Sequence, residues 1–200
     1  MKQLSKEQKE QIVRDMLEAI GEDVSRDGLK DTPARVVRMW DEIYGCYKCT
    51  PPKVTVFNNG NDGIIYDEMI CDFGTFHSTC EHHMMPIING RYWFAYIPST
   101  SGSIMGLSKV ARVVDHFASK LQVQERLTKD IVDYLWSAMS KDEFRQPVAM
   151  GLVLDAEHLC KTMRGVKKKG NMRTTDLRGV FKTDPAARAE FLGWVNSNGH

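Results

Sequence analysis

The chain has 200 residues, 42% of them hydrophobic and 26% charged, a composition that suits a compact domain able to bury a core without disulfide staples. Its 27 basic and 26 acidic residues leave a formal net charge of +1, which argues against nucleic-acid binding through a broad basic surface and confines any anion site to a local patch. No apolar run approaches the roughly 18 residues needed to span a bilayer, and Met1–Glu10 is polar with no apolar signal core. The five cysteines, an odd number, then read as metal ligands or buried thiols in a reducing compartment, so the expected location is cytoplasmic.

In chain order, Ser5 with Gln8 has the form of a capping box ahead of Ile12, Val13, Met16, Leu17 and Ile20 at helical spacing, and Gly21 is a natural stop. Thr32-Pro33 reads as an N-cap followed by proline at the first helical position. Val36, Val37, Trp40, Ile43 and Tyr44 continue that second amphipathic helix to Gly45. The two helices are expected to form an N-terminal arm over residues 1–50, with a catalytic domain over 51–200. Short runs rich in β-branched or aromatic residues predict strands at Lys53–Phe57, Ile64–Cys71 and Arg91–Ile97. Ser108 looks like an N-cap for a helix with Val110, Val113, Val114, Phe117 and Leu121 on one stripe. Leu127, Ile131, Leu135 and Met139 mark another helix, Val148–Leu154 a strand, and Asp184-Pro185 the start of a last helix burying Phe191, Leu192 and Val195. Segregated runs of helix and strand predict an α+β fold with a largely antiparallel sheet, since a doubly wound sheet needs regular alternation.

The densest chemistry lies at Cys80-Glu81-His82-His83 and His158-Leu159-Cys160. Cys80 and His83 are three apart, within reach of each other across one turn; His158 and Cys160 are two apart and would share a face on a strand. Thiolate and imidazole are preferred zinc donors. Two cysteines and one histidine would leave a fourth tetrahedral position for water, as in a catalytic site, whereas His82 or His158 as a fourth ligand would close a structural one. Spacing alone leaves both forms open.

Five segments in order resemble the GTP cyclohydrolase I family. They are Thr32-Pro33-Ala34-Arg35; Ser78 to His83; Gly106-Leu107-Ser108-Lys109 with Arg112; Gln122 to Thr128; and His158-Leu159-Cys160 with Met163-Arg164-Gly165-Val166. The resemblance implies the tunnelling fold: an antiparallel four-stranded sheet with two long helices on one face, preceded by a helical arm. It also implies a homodecamer of two stacked pentamers, with no nucleic-acid or membrane partner. The implied reaction is hydrolysis of GTP to 7,8-dihydroneopterin triphosphate and formate by zinc-activated water attack at guanine C8, feeding pterin, folate or deazaguanine synthesis.

The same resemblance distributes roles. Cys80, His83 and Cys160 are implied as zinc ligands, with His82 and His158 left for proton transfer and Ser108 for the later rearrangement. Glu125 is implied as the reader of the guanine edge, with Gln124 adding an amide contact. Lys109, Arg112 and Arg164 are implied contacts of the triphosphate, with Arg35 reaching it from an adjacent subunit. The Lys167–Lys169 run reads as a solvated loop, with contact to phosphate as the alternative. The stretch Asn171–Gly179 only partly matches the family's threonine-rich segment.

Cys46 and Cys49 read as plain thiols, because no second such pair completes a four-cysteine site. Tyr92, Trp93, Phe94 and Tyr96 read as sheet core, and His116 as structural or exposed. Two rival readings are a nitrile reductase of deazaguanine metabolism on the same fold and a non-catalytic zinc-stapled binding module. The first lacks the zinc set, and the second leaves the spare histidines and the Glu125 and Lys109 motifs without a purpose.

Overall fold

The computed structural model describes residues 3–140 and 145–198; the first two residues of the polar Met1–Glu10 segment lie outside them. The chain divides into two compact units, Met1–Cys49 and Thr50–His200.

The first unit is a helix pair. Helix α1 (Lys6–Ala19) starts on the expected capping box: Ser5 Oγ accepts from the Gln8 amide at 3.3 Å, and Gln8 Oε1 accepts from the Ser5 amide at 2.9 Å. Of its expected apolar stripe only Val13 and Leu17 are buried, while Ile12, Met16 and Ile20 face outward. Helix α2 (Thr32–Ile43) has Asp31 at its N-cap position, without a side-chain cap hydrogen bond, and the expected cap Thr32 is already helical. Val13, Leu17 and Val37 form a small core with Val24, Val36 and Trp40.

The second unit is built on a sheet. Strands β1 (Val56–Asn58) and β4 (Ser103–Met105) form a separate antiparallel pair. The main sheet contains β2 (Ile70–Cys80), β3 (Pro86–Ile97), β5 (Leu121–Gln122), β6 (Ala149–His158) and β7 (Asn171–Gly179), in the order β5-β2-β3-β6-β7. The four long strands are antiparallel neighbours, and two-residue β5 adds a parallel edge to β2. Helices α3 (Lys109–Ala118) and α4 (Gln124–Met139) cover one face, as the tunnelling fold requires.

Strand alternation splits the sheet into two apolar faces. Tyr92, Phe94, Tyr96, Met150, Leu152 and Leu154 point toward α3 and α4, meeting Val110, Val113, Val114, Leu127, Ile131 and Leu135. Trp93, Ala95, Ala149 and Val153 point the other way, where α6 (Val180–Thr183) and α7 (Pro185–Ser197) supply Phe181, Phe191 and Val195. Gly151 permits this second layer, since a Cβ there would sit 2.9 Å from the Phe191 ring. Asp184 caps α7 as expected, accepting from the Ala186 amide at 2.7 Å.

The structure corrects two strand positions. Ile64–Asp67 is not strand, and pairing runs from Ile70 to Cys80. Asn171–Gly179, not assigned a strand from sequence, is the edge strand β7. Both have weak apolar alternation because β7 pairs on one side only and much of β2's outward face is solvent-exposed.

Candidate metal centre and active site

The ends of three strands converge to make the site. β2 and β6 both run antiparallel to β3, so their C-terminal ends meet the start of β3: Thr79 opposes Pro86, and Ile87 opposes His158. Cys80 is the last residue of β2, and its amide donates to Met85 O at 2.9 Å, closing the loop that carries His82 and His83. After His158 the chain turns into the short helix α5 (Leu159–Thr162), so Cys160 reaches the site from a helical turn and not from the strand that the spacing suggested.

Cys80 Sγ and Cys160 Sγ lie 3.6 Å apart. Together with a ring nitrogen of His158 they form a group whose ligand atoms all lie within 4.8 Å of one another and can hold a metal ion. The donor set fits zinc, because tetrahedral coordination with Zn–S near 2.3 Å places two sulfurs about 3.8 Å apart. Burial and the neighbouring Cys80 thiol push the Cys160 thiol above its ordinary range.

The histidines are placed differently from expectation. His83, expected as the third ligand, is outside that group; its Nε2 accepts from Arg164 Nη1 at 2.6 Å. His158, expected as a proton-transfer group, is inside it. His82 Nδ1 lies 3.7 Å from Cys80 Sγ, at the same opening. Burial pushes His158 below the ordinary imidazole range; Glu125 opposes this, while Lys161 and His82 add to it. Glu125, the expected base reader, is exposed on the first turn of α4.

Gln124 is fully buried, and its amide is engaged with protein partners. Its Nε2 donates to Met172 O at 2.9 Å and Leu154 O at 3.2 Å, with Thr174 Oγ1 at 3.1 Å. Carbonyls accept only, so the amide oxygen must face His158 Nε2, 2.9 Å away. His158 therefore carries its proton on Nε2, which leaves Nδ1 as its open nitrogen. The expected amide contact to a base is not available to this side chain as placed.

Ser108 and Lys109 begin α3, where Ser108 makes no side-chain cap. Lys109 is half-buried and Arg112 exposed, both off the buried Val110, Val113, Val114 stripe. Arg35 lies on α2, 3.5 Å from Asp31.

Sequence reasoning assigned no role to Glu81 and Arg126. Arg126 Nη2 donates to Glu81 Oε2, and Arg126 Nε donates to Gln122 Oε1 at 3.0 Å. This pair ties the Cys80 loop to the start of α4. Its only sequence signal was that each residue falls inside a motif already singled out.

Comparison with known proteins agrees in one direction. A family model described as GTP cyclohydrolase I matches residues 9–196. A protein of Caldanaerobacter subterraneus subsp. tengcongensis named GTP cyclohydrolase 1 is 43% identical over 196 residues, covering 97% of this chain and 98% of its own. The protein of that name from Bacillus subtilis is 43% identical over 195 residues, covering 96% of each. One from Sinorhizobium fredii is 44% identical over 188 residues, covering 92% of this chain and 85% of its own.

Proposed function

Because the chain belongs to the GTP cyclohydrolase I family, we propose that it hydrolyses GTP to 7,8-dihydroneopterin triphosphate and formate. The observation that carries this reading is the pair of thiols 3.6 Å apart, with a ring nitrogen of His158 within 4.8 Å of both.

Zinc is the metal that this donor set fits, and when bound it supplies a Lewis acid that makes water nucleophilic near neutral pH. Its proposed ligands are Cys80, Cys160 and His83. The last presents an Nε2 lone pair, now satisfied by the Arg164 guanidinium. Arg164 is also a proposed triphosphate contact, so substrate phosphate would draw the guanidinium away from His83.

The chain's own groups perform the rest. Glu125 can accept from both the ring N–H and the exocyclic amine of guanine, a pair of donors that adenine does not present on one edge. Lys109, Arg112 and Arg164 hold the triphosphate, aided by the amides and dipole at the start of α3. Arg35 of a neighbouring copy completes that site in a decamer of two pentamers. His82 gives a proton to guanine N7 as water adds at C8. His158, held by Gln124, moves protons during hydrolysis of the resulting formamide. Ser108 assists the sugar rearrangement that closes the pterin ring.

Incubation of the purified protein with GTP tests this reading. Equimolar formate and a fluorescent oxidised pterin are expected. GTP returned intact, from protein with a full complement of zinc, would overturn it. None of the described helices is long and apolar enough to cross a membrane.

A further inference from the structure

On the sheet face opposite α3 and α4, the strands enclose a cup of about 590 Å³ that the proposed chemistry does not use. One irregularity shapes it. β3 carries one extra residue between Ile88 and Arg91, breaking register with β6, and the β2 pairing shifts at the same level between Phe76 and Ser78. Such a bulge bends its strand and re-aims a side chain. Here it holds Asn89 at a φ of 52°, a region that residues other than glycine adopt at a cost, and turns it into the cup.

The charges in the cup are unequal in what they have left to offer. Asp155 and Glu157 are its carboxylates, and both are already engaged. Asp155 accepts from Asn171 and, at 3.1 Å, from Arg173 Nε. Glu157 accepts from Thr162 Oγ1 at 3.1 Å and from Asn89 Nδ2 at 3.4 Å. Against them stand Arg91, Lys169 and Arg173. Lys169 is exposed and lines this space, and Arg173 uses Nε and Nη1 within the protein, the latter on Asn196 Oδ1 at 3.3 Å. A cation entering the cup would meet carboxylates already engaged; an oxyanion would meet the Lys169 ammonium and the remaining Nη2 donors of Arg173.

We propose that this cup is a second binding site, for a phosphate-type oxyanion held by Lys169 with Arg91 and Arg173. It is separate from the substrate pocket, because strand alternation sends Asp155 and Glu157 to this face and His158 to the other. Its volume falls in the range of small-molecule sites and leaves room for a phosphate monoester as well as the free ion. Asn171 and Arg173 lie in β7, the Asn171–Gly179 stretch that only partly matches the family's threonine-rich pattern, and Lys169 lies just before it.

Calorimetric titration of the assembled protein with inorganic phosphate, and in parallel with glycerol 3-phosphate, tests the proposal. Saturable binding is expected. Lys169→Ala should weaken it about tenfold or more, the scale of one lost charge-assisted hydrogen bond. Lys109→Ala, in the proposed triphosphate site, should leave this binding in place, and Lys169→Ala should turn over GTP at the parent rate. Tighter binding of the free ion would identify inorganic phosphate as the ligand; tighter binding of the ester would identify a phosphorylated metabolite; either supports the site. Absence of saturable binding overturns the proposal. So does binding abolished by Lys109→Ala but untouched by Lys169→Ala, which would place the anion in the substrate pocket. An equal loss of GTP affinity in Lys169→Ala would also overturn it, by making Lys169 a substrate contact. Phosphate binding is read without turnover, so the outcome stands apart from that of the GTP assay.

Discussion

Gln124 Oε1 lies 2.9 Å from His158 Nε2, while the amide nitrogen of Gln124 is held by Leu154 O and Met172 O. The amide cannot flip without setting its N–H groups against His158 and its oxygen against two carbonyls, so it fixes both the ring and the tautomer of His158. Gln124→Met fills similar space without either contact. It should retain zinc while turnover falls about 10–100-fold, the range found for residues that orient metal-site groups. Loss of the buried amide contacts to Leu154 O and Met172 O should also lower thermal stability, by about 1–3 kcal/mol in all. Zinc analysis, a GTP assay and a melting curve on one preparation check this; unchanged turnover would show that His158 does not depend on Gln124.

Three histidine variants resolve the ligand set. His82→Ala should keep its zinc and lose about 10²–10⁴-fold in rate, as removal of a general acid–base group does. His83→Ala should lose zinc and activity together, because two thiolates alone are too few donors. His158→Ala should keep zinc and lose activity. If His158→Ala empties the site and His83→Ala does not, the ligands are Cys80, His158 and Cys160 as they are grouped here, and Arg164 is the lasting partner of His83.

Glu125→Gln should sharply reduce GTP turnover. The amide places a donor against a guanine edge that itself donates, and a mispaired contact of this kind costs about 1–3 kcal/mol, roughly tenfold to a hundredfold. Glu125 is exposed and caps nothing by its side chain, so the melting temperature should not move. Parent-like kinetics with GTP would remove Glu125 from base recognition.

Asp72 gives a pH-dependent prediction. Burial raises its carboxyl pKa, opposed by the Tyr92 hydroxyl, which donates to Asp72 Oδ2 at 3.4 Å. A carboxyl whose pKa is higher folded than unfolded binds protons more tightly in the native state. Its ionised form therefore costs stability, and that cost grows as pH rises above the unfolded value near 4. Asp72→Asn keeps an acceptor for Tyr92 and removes the charge. The variant should melt higher than the parent at pH 7, with the advantage shrinking as pH falls toward about 4. A lower melting temperature at pH 7 would mean that the Tyr92 contact outweighs burial.

Much of this protein was legible in its residue order. Helical spacing located α3, α4 and α7, because each buries a continuous stripe such as Val110, Val113 and Val114. Capping chemistry marked Ser5 and Asp184, because a cap is local and needs no distant partner. The Cys80 and Cys160 segments stood out because thiols beside imidazoles have few other uses at such spacing. Strand β7 and the first part of β3 did not stand out: an edge strand carries polar residues on its open side, and the bulge at Asn89 breaks the alternation that would reveal a strand. What the tertiary structure alone decided was partnership. Sequence could not tell that Gln124 would spend its amide on His158 and two carbonyls 30 and 48 residues away, since those acceptors are identical backbone groups until the sheet brings them under α4. Nor could it tell that Arg164, 81 residues from His83, would meet it, or that Lys169 and Arg173 would face a bend in β3. Each of these depends on which strands pair and in what register, and register is set by the burial of the whole sheet and not by any one segment.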